Sequence, residues 1–163
     1  MLSIYSGSVP VLCSMKTTNK NSIVTEIIIN APAAVVWRLL TDLPSFEKWN
    51  PFIVKSTGEV KPNSKLVNTL RTSNSTVTFK PIVQSVIPNQ YFDWVGNLVL
   101  PGVFDGHHYF QIDQLSENQV KLTHGENFTG LFASMIFRKI GNDTRAGFIR
   151  MNQAIKSEAE NNN

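Results

Sequence analysis

The sequence predicts an α+β domain in which an antiparallel sheet covers one long helix. Three observations support this class. A β-branched run is followed by two short helical segments, six strand-like segments with short turn-rich links come next, and the C-terminal segment repeats apolar residues at helical spacing. Short links join antiparallel neighbours. A sheet with one apolar face is stable only when another layer covers that face, and the amphipathic C-terminal helix can do so.

The predicted domain begins with a strand and two helices. Ser22 to Asn30 is rich in β-branched residues and is typical of a strand. Pro32 then suits the first turn of a helix with the sequence AAVVWRLLTD. Pro44 opens a second short helical segment, Ser45 to Trp49, which ends at Asn50-Pro51.

Six further strands are predicted after the second helix, from runs of alternating apolar residues that Pro, Gly, Asn and Ser separate. They are Phe52–Val60, Lys65–Thr72, Thr76–Ile87, Tyr91–Leu98, Phe104–Leu115 and Gln119–Phe128. Together with the first strand they make seven, and the short turns between them indicate a meander.

One long helix is predicted from Thr129 to the C-terminal end of the domain. Phe132, Ile136 and Ile140 recur every four residues, and the same face continues farther along the chain with Phe148, Met151 and Ile155. An apolar stripe of this length is expected to pack on the inner face of the sheet.

Composition bounds the class of protein without naming it. The chain has 163 residues, of which 42% are apolar, which suits one domain with its own core. Cys13 is the single cysteine, so intramolecular disulfides, thiolate zinc sites and Cys-x-x-Cys chemistry are excluded. No run approaches the roughly 18 apolar residues that a membrane-spanning helix needs.

The basic charge of +3 belongs mainly to the N-terminal segment. Residues 1–21 contain Lys16 and Lys20 and no acid, so the rest of the chain is nearly neutral and has no basic cluster for nucleic acid. We expect residues 1–21 to be a flexible tail and residues 22–160 to form the domain. The tail lacks a secretory pattern, which predicts a cytoplasmic protein, with organelle targeting and a start at Met15 as alternatives.

Four segments carry a resemblance to a known superfamily. They are APAAVVWRLLTDLPSFEKWNPF (Ala31 to Phe52), LPGVFDGHHYFQI (Leu100 to Ile112), THGENFTGLF (Thr123 to Phe132) and RAGFIRMNQAIK (Arg145 to Lys156). In this order the segments resemble the SRPBCC or START-like superfamily, within it the polyketide cyclase/dehydrase and lipid transport group. The resemblance implies a helix-grip fold, in which a curved seven-stranded sheet grips the C-terminal helix around a hydrophobic cavity. It implies no particular reaction, since carriers, receptors, cyclases and chaperone activators share this fold.

The last two predicted strands place polar groups on the apolar face. If Gln114 pairs with Val120 across the loop, Phe110 lies opposite His124 and His108 lies opposite Glu126. This register brings an imidazole and a carboxylate together inside the fold. His107 has the opposite parity and is expected to face solvent.

Three interpretations of His108, His124 and Glu126 are open. They can form a polar patch whose members satisfy one another, because buried polar groups normally find partners. They can instead be the few polar groups of an apolar pocket, orienting a ligand's hydroxyl, carbonyl or carboxylate or moving a proton. Two histidines and a glutamate can also hold a metal, but nothing else in the sequence supports a metal site, and none is predicted.

Apolar residues on the same faces complete the predicted pocket, although core packing alone explains them equally well. The expected ligand-binding residues are Trp49, Phe79, Phe92, Trp94, His108, Phe110, His124, Glu126, Phe128, Phe132, Met135, Ile136, Phe148, Met151 and Asn152.

We expect a monomeric or weakly dimeric carrier or sensor of a small hydrophobic ligand, such as a lipid or polyketide, that needs no cofactor. The sequence contains no motif for covalent or phosphoryl chemistry. A cyclase or dehydratase that uses His108, His124 and Glu126 as acid and base is the alternative, because proton transfer in a dry pocket needs little more. A protein-binding module is the third possibility.

Overall fold

A computed structural model describes residues 20–73, 75–97 and 100–161 of the chain. The predicted tail, residues 1–21, lies outside the described residues except for its last two. The elements in chain order are β1 (Ser22–Ile29), α1 (Ala33–Thr41), a 3-10 turn (Leu43–Ser45), α2 (Phe46–Trp49), β2 (Ile53–Thr57), β3 (Val67–Arg71), β4 (Thr76–Phe79), β5 (Ile82–Ile87), β6 (Tyr91–Asn97), β7 (Asp105–Ser116), β8 (Gln119–Thr129) and α3 (Ala133–Asn161).

The strands form two antiparallel sheets that continue into one another. The larger has the order β1-β8-β7-β6-β5 and the smaller the order β2-β3-β4. Lys65 pairs with Ile82 in an isolated bridge, and the Leu66 N–H donates to the Pro81 carbonyl at 2.9 Å. The predicted α+β class and the helix-grip arrangement, in which antiparallel strands wrap a long C-terminal helix, are both confirmed.

The strand count is eight, where the sequence predicted seven. The predicted strand Thr76–Ile87 is interrupted at Lys80-Pro81, so β4 pairs with β3 and β5 pairs with β6. Proline has no N–H for a ladder hydrogen bond, and it also restricts the residue before it. Pro81 therefore marks the point where the strand passes from one sheet to the other.

Helix α3 begins four residues later than predicted. Gly130 has a φ of 112°, a left-handed conformation that favours glycine. The next two N–H groups, of Leu131 and Phe132, donate to the carbonyls of Gly102 and Val103 in the β6–β7 loop. The helix then runs without interruption from Ala133 to Asn161, since its buried residues bind it to the sheet along its whole length.

Asn50 joins the end of α2 to the core. Its Oδ1 accepts hydrogen bonds from the N–H groups of Phe52 at 3.0 Å and Ile53 at 2.9 Å, and its Nδ2 lies 3.3 Å from the Met151 Sδ. Asn50 is buried, so its polar atoms need such partners. The contact fixes Phe52 at the entry to β2, against α3.

The closest approach of α3 to this region depends on Gly147. A Cβ atom on Gly147 would lie 2.2 Å from Cδ2 of the Phe52 ring, which is itself buried and packed edge-on against Phe148. The ring therefore occupies the space that any larger residue at position 147 would fill.

We predict that Gly147→Ala destabilises the fold, whereas Gly141→Ala does not. Both substitutions gain about 0.5–1 kcal/mol of helix propensity, but the new Cβ at Gly141 would meet Phe137 only at 3.3 Å. Overpacking at Gly147 should lower the free energy of unfolding by about 1–3 kcal/mol relative to the Gly141 variant, measured by urea denaturation. Equal stabilities of the two variants would contradict this packing.

Candidate functional site

The site is built on the β7–β8 hairpin, whose register agrees with the sequence prediction. Gln114 pairs with Val120, Phe110 with His124, and His108 with Glu126. Alternation along the strands then directs His108 and His124 into the interior, where they are 3% and 0% exposed. The residues predicted to meet inside the fold are therefore brought together.

A chain of polar groups runs from Glu126 to β1. The Glu126 Oε2 lies 3.6 Å from the His108 Nδ1, and the Nε2 atoms of His108 and His124 are 2.9 Å apart. The His124 Nδ1 is 3.0 Å from the Asn152 Oδ1 on α3, and the Asn152 Nδ2 donates to the Thr25 hydroxyl at 3.0 Å. The two histidines therefore contact each other through their Nε2 atoms. No group of three or more residues that could hold a metal occurs within the described ranges.

Aromatic rings hold both imidazoles in place. The Trp94 ring is stacked on His108 with centroids 4.4 Å apart, and the Phe148 ring is stacked on His124 at 3.7 Å. Phe110 contacts both histidines from the neighbouring position on the hairpin. These aromatic rings exclude water from the faces of the imidazoles and restrict the orientations that the imidazoles can adopt.

Burial keeps this cluster uncharged at neutral pH. It lowers the pKa of His108 to about 3, and the nearby His107 adds to the effect. It also lowers the pKa of His124, with a further contribution from His108 that the Asn152 hydrogen bond opposes. Burial raises the pKa of Glu126 to about 8, against the effect of His107. The histidines are therefore neutral bases, and Glu126 is a neutral acid at pH 7.

A cavity of about 350 Å³ lies beside Glu126, between α3 and the two sheets. Its walls are formed by Phe52, Leu70, Arg71, Thr72, Val77, Phe79, Gly96, Asn97, Phe104, Gly106, Glu126, Phe128, Ile136, Lys139, Ile140, Asp143 and Thr144. The volume lies in the range of pockets that bind small molecules, and most of the wall is apolar, with a few polar groups.

Two glycines leave room for this cavity. Gly96 on β6 pairs directly with Gly106 on β7, and both line the cavity. A Cβ on Gly106 would lie 2.5 Å from the Glu126 Oε1, and one on Gly96 would lie 3.2 Å from the Phe79 ring. Side chains at these positions would fill the space or displace the carboxyl, so the glycine pair shapes the wall around Glu126.

The Ser73–Asp143 contact closes one side of the cavity. The Asp143 carboxylate on α3 accepts hydrogen bonds from the Ser73 N–H at 3.0 Å and from the Ser73 hydroxyl. These bonds hold the pKa of Asp143 below its usual value. The same bonds attach the β3–β4 hairpin to α3. This hairpin contributes Leu70 and Val77 to the cavity wall.

The fifteen residues predicted to bind ligand separate into three groups. Phe79, Glu126, Phe128 and Ile136 line the cavity. Eight others are buried beside or beneath the cavity wall without lining it: Phe92, Trp94, His108, Phe110, His124, Phe148, Met151 and Asn152.

Trp49, Phe132 and Met135 lie away from the cavity. Trp49 packs on Phe46 and donates from its ring nitrogen to the Ser45 hydroxyl at 3.2 Å. Phe132 and Met135 are 44% and 55% exposed. Phe132 precedes α3 and is held in the loop by its own N–H bond, whereas Met135 lies on the outer side of the first turn of the helix.

Several wall residues were missed in the sequence. Lys139, Ile140 and Asp143 follow Ile136 at intervals of three, four and seven residues, so helical spacing from one lining residue could have found them. The pairing of Gly96 with Gly106 needed the β6–β7 register, which the sequence does not specify.

His107 lies on the opposite face of the sheet, as its parity predicted. Its Nε2 is 2.6 Å from the Asp93 carboxylate, and the Tyr91 hydroxyl donates to the same carboxylate at 3.1 Å. Burial and Asp93 together raise the pKa of Tyr91. These groups satisfy Asp93 and are separated from the cavity by the sheet.

The chain belongs to the polyketide cyclase/dehydrase and lipid transport family, whose model matches residues 20–157. This agrees with the group that the four sequence segments resemble. A search of curated proteins finds no match.

Solved structures of low sequence identity share the fold. An aromatase/cyclase, ZhuI from Streptomyces sp. R1128, is 14% identical with a TM-score of 0.71, over 85% of this chain and 93% of its own. A START superfamily protein from Mycobacterium smegmatis is 15% identical with a TM-score of 0.68, over 87% and 99%. A hypothetical protein from Helicobacter pylori is 14% identical with a TM-score of 0.72, over 98% and 99%. Family and fold are consistent with ligand binding and with cyclase activity.

No helix in the described ranges is long and apolar enough to cross a membrane.

We predict that Glu126→Gln changes the pH dependence of stability. Because the folded-state pKa of Glu126 lies above its ordinary value of 4.5, the fold favours the protonated acid. The protonated Glu126 therefore contributes to the stability of the fold below pH 4.5, and this contribution is lost as the pH rises toward 8. Glutamine does not ionise, so the variant does not lose stability in this way. Between these pH values, its free energy of unfolding should rise by at least about 1 kcal/mol relative to that of the native protein, as measured by urea denaturation. A stability difference that is constant across this range would contradict the buried neutral acid.

Proposed function

We propose that this protein is a non-catalytic carrier or sensor that binds a small hydrophobic or amphipathic molecule in the cavity between α3 and the sheets. The cavity itself carries the proposal: about 350 Å³ of space is lined mainly by apolar side chains. Burial of a ligand's apolar surface there contributes about 25 cal/mol for each Å² removed from water.

The distribution of polar groups supports an amphipathic ligand. Glu126 is a neutral acid on a wall that also includes the rings of Phe104 and Phe128. Arg71 and Lys139 lie among the other lining residues and can meet a polar end of the same ligand. A few fixed polar groups in an apolar wall are what orient a small molecule.

The hydroxyl groups on the described part of the cavity wall have no base to activate them, which favours binding over covalent chemistry at a hydroxyl. The hydroxyl groups among the described lining residues belong to Thr72 and Thr144. Thr72 forms its hydrogen bonds with Ser75, and neither threonine is hydrogen-bonded to a histidine. An activated hydroxyl needs such a base.

A cyclase or dehydratase is the second candidate, because an acid on the cavity wall has a base buried beside it. A carboxyl with a pKa of about 8 can donate a proton at neutral pH, and the His108 ring lies behind it. This candidate predicts turnover of a poly-β-keto substrate that Glu126→Gln abolishes while binding persists. Binding without turnover in the native protein favours the carrier.

We predict that Ile136→Trp blocks ligand binding and that Met135→Trp does not. Ile136 lines the cavity, so an indole there occupies ligand space, whereas Met135 is 55% exposed and lies outside the cavity. The dissociation constant of the fluorescent probe 1-anilinonaphthalene-8-sulfonate should rise more than about 10-fold in the Ile136 variant, a loss of about 1.4 kcal/mol.

The Met135 variant is the matched control, since it adds the same side chain one residue away on the helix. Equal affinities of the two folded variants for the probe, or no binding by the native protein to this probe and to fatty acids in native mass spectrometry, would overturn the proposed function.

A further inference from the structure

Hydrogen bonds link His108 through His124 and Asn152 to Thr25 on β1, and the chemistry of Thr25 fixes which partner donates in each bond. The Thr25 hydroxyl lies 3.2 Å from the backbone carbonyl of His124. A carbonyl oxygen only accepts, so the Thr25 hydroxyl donates its proton there. The Thr25 oxygen is consequently an acceptor toward its other neighbour, Asn152.

The orientation of Asn152 follows from this. Its Nδ2 group donates to the Thr25 hydroxyl at 3.0 Å, so its Oδ1 faces the His124 Nδ1 at 3.0 Å. The amide oxygen can only accept, and the proton of the neutral His124 ring therefore lies on Nδ1. This leaves the His124 Nε2 with a lone pair.

The His124 tautomer fixes that of His108 in turn. The His108 Nε2 lies 2.9 Å from the His124 Nε2 and must donate to it, because His124 offers only a lone pair there. A neutral His108 then has an unprotonated Nδ1, which faces the Glu126 Oε2 at 3.6 Å. A lone pair facing a carboxylate oxygen is repulsive, so the arrangement favours a proton on Oε2, directed at His108.

The other carboxyl oxygen, Oε1, is left as a carbonyl-type acceptor at the cavity. It lies against Gly106, since a Cβ there would be 2.5 Å away, and both Gly106 and Glu126 line the cavity. Within residues 20–73, 75–97 and 100–161, no protein group donates a hydrogen bond to this carboxyl. His108, His124 and Asn152 each donate inward, away from the cavity. The Glu126 carboxyl lies 3.6 Å from His108 and presents Oε1 as an acceptor on the cavity side.

We propose that the Glu126 Oε1 accepts a hydrogen bond from an uncharged hydroxyl group of the ligand, so that the cavity selects alcohols or phenols over ketones and ethers. This inference rests on the proposed function, and it names the polar group that the site recognises. A ligand carbonyl or ether oxygen would place a second acceptor against Oε1. A ligand hydroxyl instead donates to Oε1, which receives no hydrogen bond from the described residues.

Three matched probes and two variants test the selection. The probes are 2-naphthol and 2-methylnaphthalene, which have similar shapes and differ in the donor, with 2-methoxynaphthalene as the acceptor-only probe. Dissociation constants are measured at about pH 6.5, below the pKa of Glu126 of about 8. Glu126→Leu should weaken the binding of 2-naphthol about 2- to 13-fold relative to that of 2-methylnaphthalene, because one hydrogen bond contributes about 0.5–1.5 kcal/mol.

Glu126→Gln is the matched control. Its amide nitrogen can donate to the His108 Nδ1 while its oxygen takes the place of Oε1, so the preference for 2-naphthol should persist. If Glu126→Leu weakens the binding of all three probes equally, or that of 2-methoxynaphthalene most, the proposed selection of hydroxyl groups is wrong. The proposed function as a ligand-binding protein is then unaffected. If the native protein binds none of these probes, this inference fails. The proposed function fails with it only if the protein also binds neither 1-anilinonaphthalene-8-sulfonate nor fatty acids.

The direction of the chain has a test of its own that needs no ligand. Nitrogen-15 NMR of the native protein distinguishes the two neutral histidine tautomers. We expect the proton of His124 on Nδ1 and that of His108 on Nε2. The opposite tautomer at either ring, or a charged imidazole at neutral pH, would overturn the inference even if Glu126→Leu does not fold.

Discussion

The register of the β7–β8 hairpin is the constraint on which the rest of the site depends. Side chains alternate between the two faces of a strand, so a slip of one residue would exchange the faces. The pairing of Gln114 with Val120 directs Phe110, His124 and Leu122 inward. The same pairing leaves His107 on the outer face, where Asp93 binds it.

This register buries ionisable side chains, and the fold accommodates them in their uncharged forms. Two imidazoles and a carboxyl lie among Trp94 and Phe148, where an isolated ion would be costly. Asn152 from α3 provides the polar partner that the sheet alone lacks, and its contact with Thr25 completes the chain. The polar chain therefore also fixes the rotation of α3 against β1 and β8, which positions Ile136 and Asp143 at the cavity.

The sequence predicted the hairpin and its polar cluster because those depend on local alternation and one short loop. It predicted only four residues of the cavity wall, because the wall combines α3 with the β3–β4 hairpin and with Gly96, which are distant in sequence. The apolar stripe of the helix suggested Phe132 and Met135, but Gly130 delays the start of α3, and both side chains are exposed. The division of the predicted strand at Pro81 likewise depended on which sheet each half joins.

We propose the cavity as a binding site whose polar contact is the Glu126 Oε1, beside two histidines that donate their hydrogen bonds inward. A crystal structure of the protein with bound 2-naphthol tests this most directly. We expect the ring system between α3 and the sheets, against Phe104, Phe128 and Ile136, with its hydroxyl oxygen about 2.6–3.0 Å from the Glu126 Oε1. A naphthol bound elsewhere, or one in the cavity with its hydroxyl turned away from Glu126, would contradict the account.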